Sequence, residues 1–218
     1  MSITSQLNDI KSNIPKNVTL VAVSKYQPIE SIQEAYNAKQ RIFGESRAQE
    51  LVNKYKELPK DIEWHMIGNL QSTNVKYIAP FVSLIHSVHS LKLLDKINKE
   101  ATKNNRIIDC LLEFHIAQEE SKSGLYLEEA EILLESSEYT LFKNIRIVGV
   151  MAMASYTNDE SQISKEFNIL HNIFTLLKNK YFSSKPEFKE ISMGMSGDYK
   201  LAIQAGSSMV RIGSSIFQ

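Results

Sequence analysis

One lysine follows a short apolar run, at a position where its amine could act as a nucleophile. Residues 20–23 are all apolar, which is typical of a strand buried on both faces. Lys25 comes two residues later, and Pro28 marks the first turn of a following helix. A partly desolvated ammonium loses basicity, and its amine can then form a Schiff base with an aldehyde or ketone. In the simpler interpretation, the aliphatic part of Lys25 covers the end of the strand while its charge reaches water.

Two loops near the end of the chain combine glycine with serine, the residue types that suit a phosphate group. The first reads SMGMSGD around Ser196 and Gly197, and the second reads VRIGSS around Gly213 and Ser214. Backbone N–H groups at helix starts, together with serine hydroxyls, can bind a dianion without a lysine. Each loop alone could be an ordinary turn with a serine N-cap. As a pair, they predict a phosphate site.

A phosphate site combined with a nucleophilic lysine indicates a phosphorylated aldehyde or ketone as the ligand. Pyridoxal 5′-phosphate (PLP) fits, because its aldehyde condenses with an amine while its phosphate is held separately. A sugar-phosphate aldolase or isomerase would use similar groups. Arg211 favours PLP, since a guanidinium beside the pyridine nitrogen keeps that nitrogen unprotonated and weakens the ring as an electron sink. The alternative for Arg211 is an ion pair at the barrel rim.

The elements that must position these residues alternate regularly along the chain. A helix pattern over residues 3–14 comes first, and short apolar runs then alternate with helical patterns. The alternation predicts parallel strands, and eight repeats predict a closed (β/α)8 TIM barrel in the α/β class, with an open doubly wound sheet as the alternative. Barrel sites lie at the carboxyl ends of the strands, and phosphate often binds after strands 7 and 8. The predicted strands lie within residues 20–23, 41–44, 63–68, 81–88, 107–116, 145–151, 190–193 and 208–212.

Composition limits the class of protein. The 218 residues are 43% hydrophobic, enough for a large core, and no linker divides them, so we expect a single domain over residues 1–218. Basic and acidic residues number 25 each, which gives no support for non-specific binding to nucleic acid or to an acidic membrane. The single cysteine, Cys110, the absence of a signal pattern and the lack of an apolar run of about 20 residues predict a cytoplasmic protein.

The histidines are weaker candidates for chemistry. His86 and His89 have a metal-like spacing, and His115 is predicted on the neighbouring strand. No carboxylate or thiolate cluster supports a metal, so the pattern favours hydrogen-bonded groups at the end of the barrel. His65 is predicted to be a hydrogen-bonded histidine in the core or lining the barrel, and Cys110 an apolar filler.

Seven segments, in this order, resemble the YggS/PROSC family of pyridoxal-phosphate homeostasis proteins, single-domain relatives of the alanine racemase barrel. The set is far more specific than any one segment. The segments are VAVSK (21–25), FGES (43–46) with Gln49 and Glu50, WHMIGNLQS (64–72), SKSG (121–124), GVMA (149–152), SMGMSGD (192–198) and AGSSMVRIGSSIF (205–217).

The resemblance implies a fold-type III PLP-binding barrel and assigns roles to the candidate residues. Lys25 would hold PLP as an internal aldimine, and Arg211 would face the pyridine nitrogen. Ser196, with its neighbour Gly197, and Gly213 with Ser214 would contact the phosphate. The implied function is PLP homeostasis in a monomer that hands cofactor to PLP-dependent apoenzymes without turning over a substrate. A small amino-acid racemase is the alternative; since racemisation needs acid–base groups on both faces of the substrate, we expect a chain ending after strand 8 to lack the second group.

Three positions test the resemblance in detail. The family commonly has asparagine where this chain has Ser46, so a ring contact through an amide is lost or replaced by a hydroxyl. A second lysine, common two positions after the Schiff-base lysine, is replaced by Gln27. Lys122 is retained and is either a secondary amine near the barrel mouth or a solvated loop lysine.

Overall fold

Within residues 2–119 and 123–218, which the computed structural model describes, eight parallel strands follow one another around a closed barrel. The first and last strands pair from Thr19↔Met209 to Ala22↔Ile212, which closes the barrel and excludes the open-sheet alternative. The predicted TIM barrel is therefore confirmed. The strands are β1 (Thr19–Val23), β2 (Ile42–Glu45), β3 (Glu63–Met66), β4 (Leu84–Val88), β5 (Ile108–Phe114), β6 (Ile145–Ala152), β7 (Glu190–Ser192) and β8 (Met209–Ile212).

Helices cover the outside of the barrel, as the alternation predicts. The extra helix at the start of the chain is present and packs against the second and the last helices. A short 3₁₀ helix, Ser72–Asn74, precedes the fourth helix. The helices are α1 (Ile3–Asn13), α2 (Ile29–Asn37), α3 (Ala48–Glu57), α4 (Val75–Ile78), α5 (Leu91–Lys103), α6 (Leu127–Glu135), α7 (Ser137–Thr140), α8 (Glu160–Tyr181), α9 (Tyr199–Gln204) and α10 (Ser214–Phe217).

The longest helix, α8, shows how the sequence pattern determines packing. Asp159 caps its start, because its carboxylate accepts the N–H groups of Ser161 and Gln162. Apolar residues then recur every three or four positions and bury one stripe of the helix against the barrel. The fully or nearly fully buried apolar members of that stripe are Ile163, Phe167, Leu170 and Leu177.

Inside the barrel, an apolar cluster gives way to polar side chains. A cluster distinct from the main core consists of Val21, Leu84, Leu111, Val148, Met151 and Met209. On three of those strands the next residue on the same face, two positions later, is polar and buried. These residues are His86, Glu113 and Arg211. The carboxyl end of the barrel is therefore lined with groups that can contact a polar ligand.

None of the helices within the described residues is long and apolar enough to cross a membrane.

Candidate functional site

Lys25 lies in a turn between β1 and α2. The turn is closed by the Gln27 N–H, which donates to the Ser24 carbonyl at 3.0 Å. Tyr26 has φ of 65°, a left-handed conformation that non-glycine residues rarely adopt. The Lys25 side chain is exposed, in agreement with the simpler interpretation in which its charge reaches water. What distinguishes this lysine is its place just after the carboxyl end of β1.

Beneath this turn lies a cluster of charged side chains that the sequence reasoning missed. Lys54 on α3 donates to Glu45 at 2.8 Å and to Glu50 at 2.7 Å. Burial raises the pKa of Glu45, although the Lys54 ammonium and the Ser24 hydroxyl oppose the shift. The four-residue spacing of Glu50 and Lys54 in a predicted helix was the available signal.

The two predicted phosphate loops contact each other. The Gly213 N–H donates to the Ser196 hydroxyl oxygen at 3.3 Å. Ser196 does not cap the next helix, as the alternative of an ordinary turn with a serine N-cap would require, because Asp198 is the residue before α9 and its carboxylate accepts the Met195 N–H. Gly197 is open, since a Cβ placed there would have no atom within 4 Å. Ser214, the first residue of α10, is exposed.

Gly213 also brings the loop after β8 against the end of β1. A Cβ at this position would lie 3.0 Å from the Val23 carbonyl oxygen and 3.2 Å from the Val23 Cβ. A side chain here would therefore push the two segments apart. Because Val23 is two residues before Lys25, the predicted phosphate loops and the predicted nucleophile lie at one end of the barrel.

Arg211 is buried at the same end and is held by uncharged acceptors. Its guanidinium donates to the Ser192 carbonyl at 2.8 Å, to the Ser192 hydroxyl at 2.7 Å and to the Ala152 carbonyl at 3.0 Å. Burial lowers its pKa to about 10, although the carboxylates of Asp198 and Glu113 oppose the shift. Arg211 is buried, and among the described residues no salt bridge involves its guanidinium, so the alternative of an ion pair at the barrel rim is not observed there.

Two histidines continue the hydrogen-bond chain from Arg211 into the barrel. Ser192 Oγ lies 3.0 Å from His86 Nδ1, and His86 Nε2 lies 3.0 Å from His65 Nδ1. Ser192 Oγ accepts from Arg211, so the guanidinium, the hydroxyl and the two rings form one continuous hydrogen-bond chain. Desolvation lowers the pKa of His65 to about 3 and that of His86 well below its usual value, so both rings are neutral.

The histidines of the metal-like spacing take separate partners instead of converging. His86 belongs to the chain just described, His89 Nδ1 donates to the Ser87 carbonyl at 3.1 Å, and His115 packs edge-on against Tyr126. Within residues 2–119 and 123–218, no group of three or more histidine, cysteine, aspartate or glutamate side chains is arranged to hold a metal ion. The predicted hydrogen-bonded role of His65 is confirmed.

Glu113, at the carboxyl end of β5, is a further site residue that sequence reasoning missed. It is buried, and its Oε1 accepts the Ser123 hydroxyl at 3.0 Å. Its Oε2 is buried without a hydrogen-bond partner among the described residues. Desolvation raises its pKa, opposed by Ser123, His89 and Arg211. The available signal was a carboxylate near the carboxyl end of a mostly apolar strand, two positions after the apolar Leu111.

The remaining predicted positions lie around this end of the barrel or outside the described part. Ser46 directly follows β2 and is half-buried. Its carbonyl oxygen lies 2.3 Å from where a Cβ on Gly68 would stand, so only glycine lets the loop after β3 pack on it. Gln27 is half-buried in the Lys25 turn. Lys122 lies outside the described residues.

A scan against family models matches all of residues 1–218 to the N-terminal domain of alanine racemase. The pyridoxal phosphate homeostasis protein of Aquifex aeolicus is 40% identical over 200 residues, covering 91% of this chain and 85% of that protein. The protein of the same name from Escherichia coli is 34% identical over 210 residues, covering 93% and 86% of the two chains.

Two solved structures have a fold similar to that of this chain. PipY of Synechococcus elongatus, determined with PLP bound, superposes with a TM-score of 0.90 at 30% identity and covers 99% of this chain and 100% of its own. Alanine racemase of Bartonella henselae superposes with a TM-score of 0.74 at 15% identity, over 99% of this chain and 58% of its own. At that identity the racemase shows a shared fold only.

Proposed function

The chain belongs to the alanine racemase N-terminal domain family, and from this premise we propose that it binds pyridoxal 5′-phosphate at the carboxyl end of its barrel and serves PLP homeostasis. The cofactor supplies an aldehyde that reacts with amines, together with a phosphate and a pyridine ring that can be held separately. The names of the relatives described above and the PLP-bound PipY structure support this proposal.

The observation that carries the proposal is the junction at Gly213. Its N–H donates to Ser196, and its Cα packs against Val23, two residues before Lys25. One glycine thus connects both phosphate loops to the turn that carries the lysine. We propose that Ser196, Gly197, Gly213 and Ser214 bind the phosphate while Lys25 binds the aldehyde carbon.

The interior groups fit the rest of such a ligand. A guanidinium has five N–H donors, and Arg211 uses three hydrogen bonds toward the described residues, which leaves donors for a pyridine nitrogen. Glu113 Oε2 lies 3.9 Å from His89 Nδ1 and makes no hydrogen bond within the described residues, so it and the open space at Gly197 are available to a polar ligand at the same end. Ser46 is proposed to contact the ring edge through its hydroxyl, in place of the amide common in the family.

Lys25 acts as the nucleophile in this proposal. Its Nζ, as the free amine, attacks the aldehyde carbon, and one water molecule leaves as a C=N bond replaces the C=O bond. The exposed position of Lys25 suits a cofactor that must be released as well as retained. Because Arg211 disfavours a protonated pyridine, the bound ring is a weak electron sink, which supports binding without substrate turnover.

The proposal extends to how the protein works in the cell. We propose that residues 1–218 act as one domain, that the chain is a monomer, and that it passes PLP to apo forms of PLP-dependent enzymes. The closed barrel supports the monomer, since pairing between β1 and β8 leaves no open sheet edge there. The buried free thiol of Cys110 fits the reducing cytoplasm.

Borohydride reduction followed by peptide mapping tests the proposal. Purified protein is mixed with PLP, its visible absorption is recorded, and the mixture is reduced and digested. We expect a visible absorption band and one modified peptide, that of Lys25. Lys25→Ala should lose both, whereas Lys56→Ala, which removes a lysine on α3, should retain both. A reduced adduct at Lys122 in place of Lys25 would reject the assignment, and the absence of any adduct would reject the function.

A further inference from the structure

A lysine on α3 is almost completely buried but lies outside the proposed cofactor site. Lys54 has 5% of its surface exposed, and Glu45, which pairs with it, is fully buried. Gly44 faces the barrel interior, because a Cβ there would contact Val21, so its neighbour Glu45 faces outward toward α3. The ion pair therefore lies between the barrel wall and the helix.

The Lys54 cluster (Lys54, Glu45 and Glu50) holds the backbone on both sides of Lys25. Lys54 Nζ donates to the Ser24 carbonyl at 2.7 Å, immediately before Lys25. Glu50 Oε1 accepts the Tyr26 N–H at 2.7 Å, immediately after it. The Ser24 side chain is held as well, since its hydroxyl donates to Glu45 Oε1 at 2.5 Å. The peptide groups flanking Lys25 are thus fixed by a single cluster.

Ordinary packing does not account for this arrangement. Burying charged groups costs free energy, and apolar side chains of similar volume often pack as well or better. The strained Tyr26 backbone needs surrounding contacts that over-determine it. A second helical ion-pair cluster in the chain, Lys96 and Lys103 with the buried Glu100, makes its ion pairs within α5. The Lys54 cluster differs because it reaches across to the turn of the proposed nucleophile.

We propose that Lys54 and Glu50 are positioning residues for Lys25. They fix the turn so that the Lys25 amine is presented to the aldehyde carbon of PLP, and they act through the backbone of Ser24 and Tyr26 without touching the ligand. This inference rests on the proposed function. It implies that the cluster affects covalent capture of the cofactor more than non-covalent binding of its phosphate and ring.

Two ligands separate covalent capture from non-covalent binding. PLP can form the bond to Lys25, whereas pyridoxine 5′-phosphate carries an alcohol in place of the aldehyde and can only bind non-covalently. In Lys54→Met, we expect the rate of the reducible adduct at Lys25 to fall at least tenfold. The dissociation constant for pyridoxine 5′-phosphate should change less than threefold. Lys54→Arg, which keeps the charge and the donors, should restore most of the rate.

Matched variants keep the test independent of general damage. Lys96→Met removes the equivalent lysine from the α5 cluster. It should change neither the rate of adduct formation with PLP nor the dissociation constant for pyridoxine 5′-phosphate. If Lys54→Met does not fold, Glu50→Ala provides the same test, because the Glu50 side chain is 22% exposed and its loss frees the Tyr26 N–H.

Three results would overturn the inference. A wild-type rate of adduct formation in Lys54→Met or Glu50→Ala would show that the cluster does not position Lys25. Equal losses for both ligands would show a merely structural role. If the wild-type chain forms no reducible adduct at all, the proposed function fails and this inference fails with it.

Discussion

At the residue scale, the serine hydroxyls are the groups whose contribution to phosphate binding can be isolated. Hydrogen bonds to a charged group contribute about 1.5–3 kcal/mol each. Removing both hydroxyls in Ser196→Ala/Ser214→Ala should weaken PLP binding tenfold or more, since a decade corresponds to about 1.4 kcal/mol. Unphosphorylated pyridoxal should bind as before, and Ser215→Ala, which alters the exposed neighbour, should be neutral for both. The dissociation constants of PLP and pyridoxal, measured by titration of each variant, test this prediction. Equal losses of affinity for PLP and pyridoxal would show that the phosphate binds elsewhere.

Also at the residue scale, the neutral histidines make folding stability depend on pH. The folded pKa values of His65 and His86 lie below the unfolded value near 6.5, so below that pH the unfolded chain binds protons that the folded chain cannot. Their contribution to stability is complete above pH 6.5 and is lost progressively as the pH falls below it, by up to about 1.4 kcal/mol per pH unit for each ring. Urea unfolding from pH 7 to 5 should show a weaker decline in His65→Gln/His86→Gln. The raised pKa values of the buried carboxyls Glu45 and Glu113 make stability change with pH in the opposite direction. The test is therefore the difference in pH dependence between the wild type and the double variant. Identical pH dependences would contradict the conclusion that His65 and His86 are neutral in the folded state.

At the element scale, substitution by alanine should affect stability differently at two glycines of the proposed phosphate loops. Gly213→Ala places a Cβ against β1 and should destabilise the fold by about 1–3 kcal/mol, the usual cost of overpacking. Gly197→Ala meets no atom within 4 Å and should keep stability within about 0.5 kcal/mol, while obstructing the proposed phosphate. Chemical denaturation and PLP titration of both variants separate the two effects. A destabilised Gly197→Ala with normal PLP binding would contradict the assignment.

The helices and strands could be predicted from sequence where they depend on residues close together in the chain. Periodicity alone specified the α8 stripe and the βα alternation, because each depends on which face of one element is apolar. The contact of Ser196 with Gly213 and the chain from Arg211 to His65 were not predictable. They join side chains from loops and strands far apart in sequence, and no local pattern encodes those distances. The contacts of the Lys54 cluster with the Lys25 turn were not predictable for the same reason. Lys54 reaches the Ser24 carbonyl only after α3 packs on the barrel.

At the scale of the whole molecule, the arrangement of charged groups predicts a binder rather than a racemase. Racemisation needs acid–base groups on both faces of the substrate carbon, and the proposed contact of Arg211 with the pyridine nitrogen would stabilise the carbanion poorly. With PLP bound, we expect no Lys25-dependent racemisation across a panel of amino acids. Deuterium uptake at Cα and chiral analysis measure this, with Lys25→Ala as the blank. A turnover of about 1 per second or faster would support the racemase alternative.

The seam between β1 and β8 has a consequence for when the protein can acquire its cofactor. Lys25 is synthesised before Gly213 and Ser214, which follow it by almost 190 residues. At 5–20 residues per second, roughly 10–40 seconds of translation separate them. During that interval the nascent chain has the amine of Lys25 but lacks the proposed phosphate loops, and the edge of β1 that later pairs with β8 is uncovered. If these loops hold the phosphate, tight retention of PLP begins only after β8 and the loop that follows it have been synthesised and the barrel has closed.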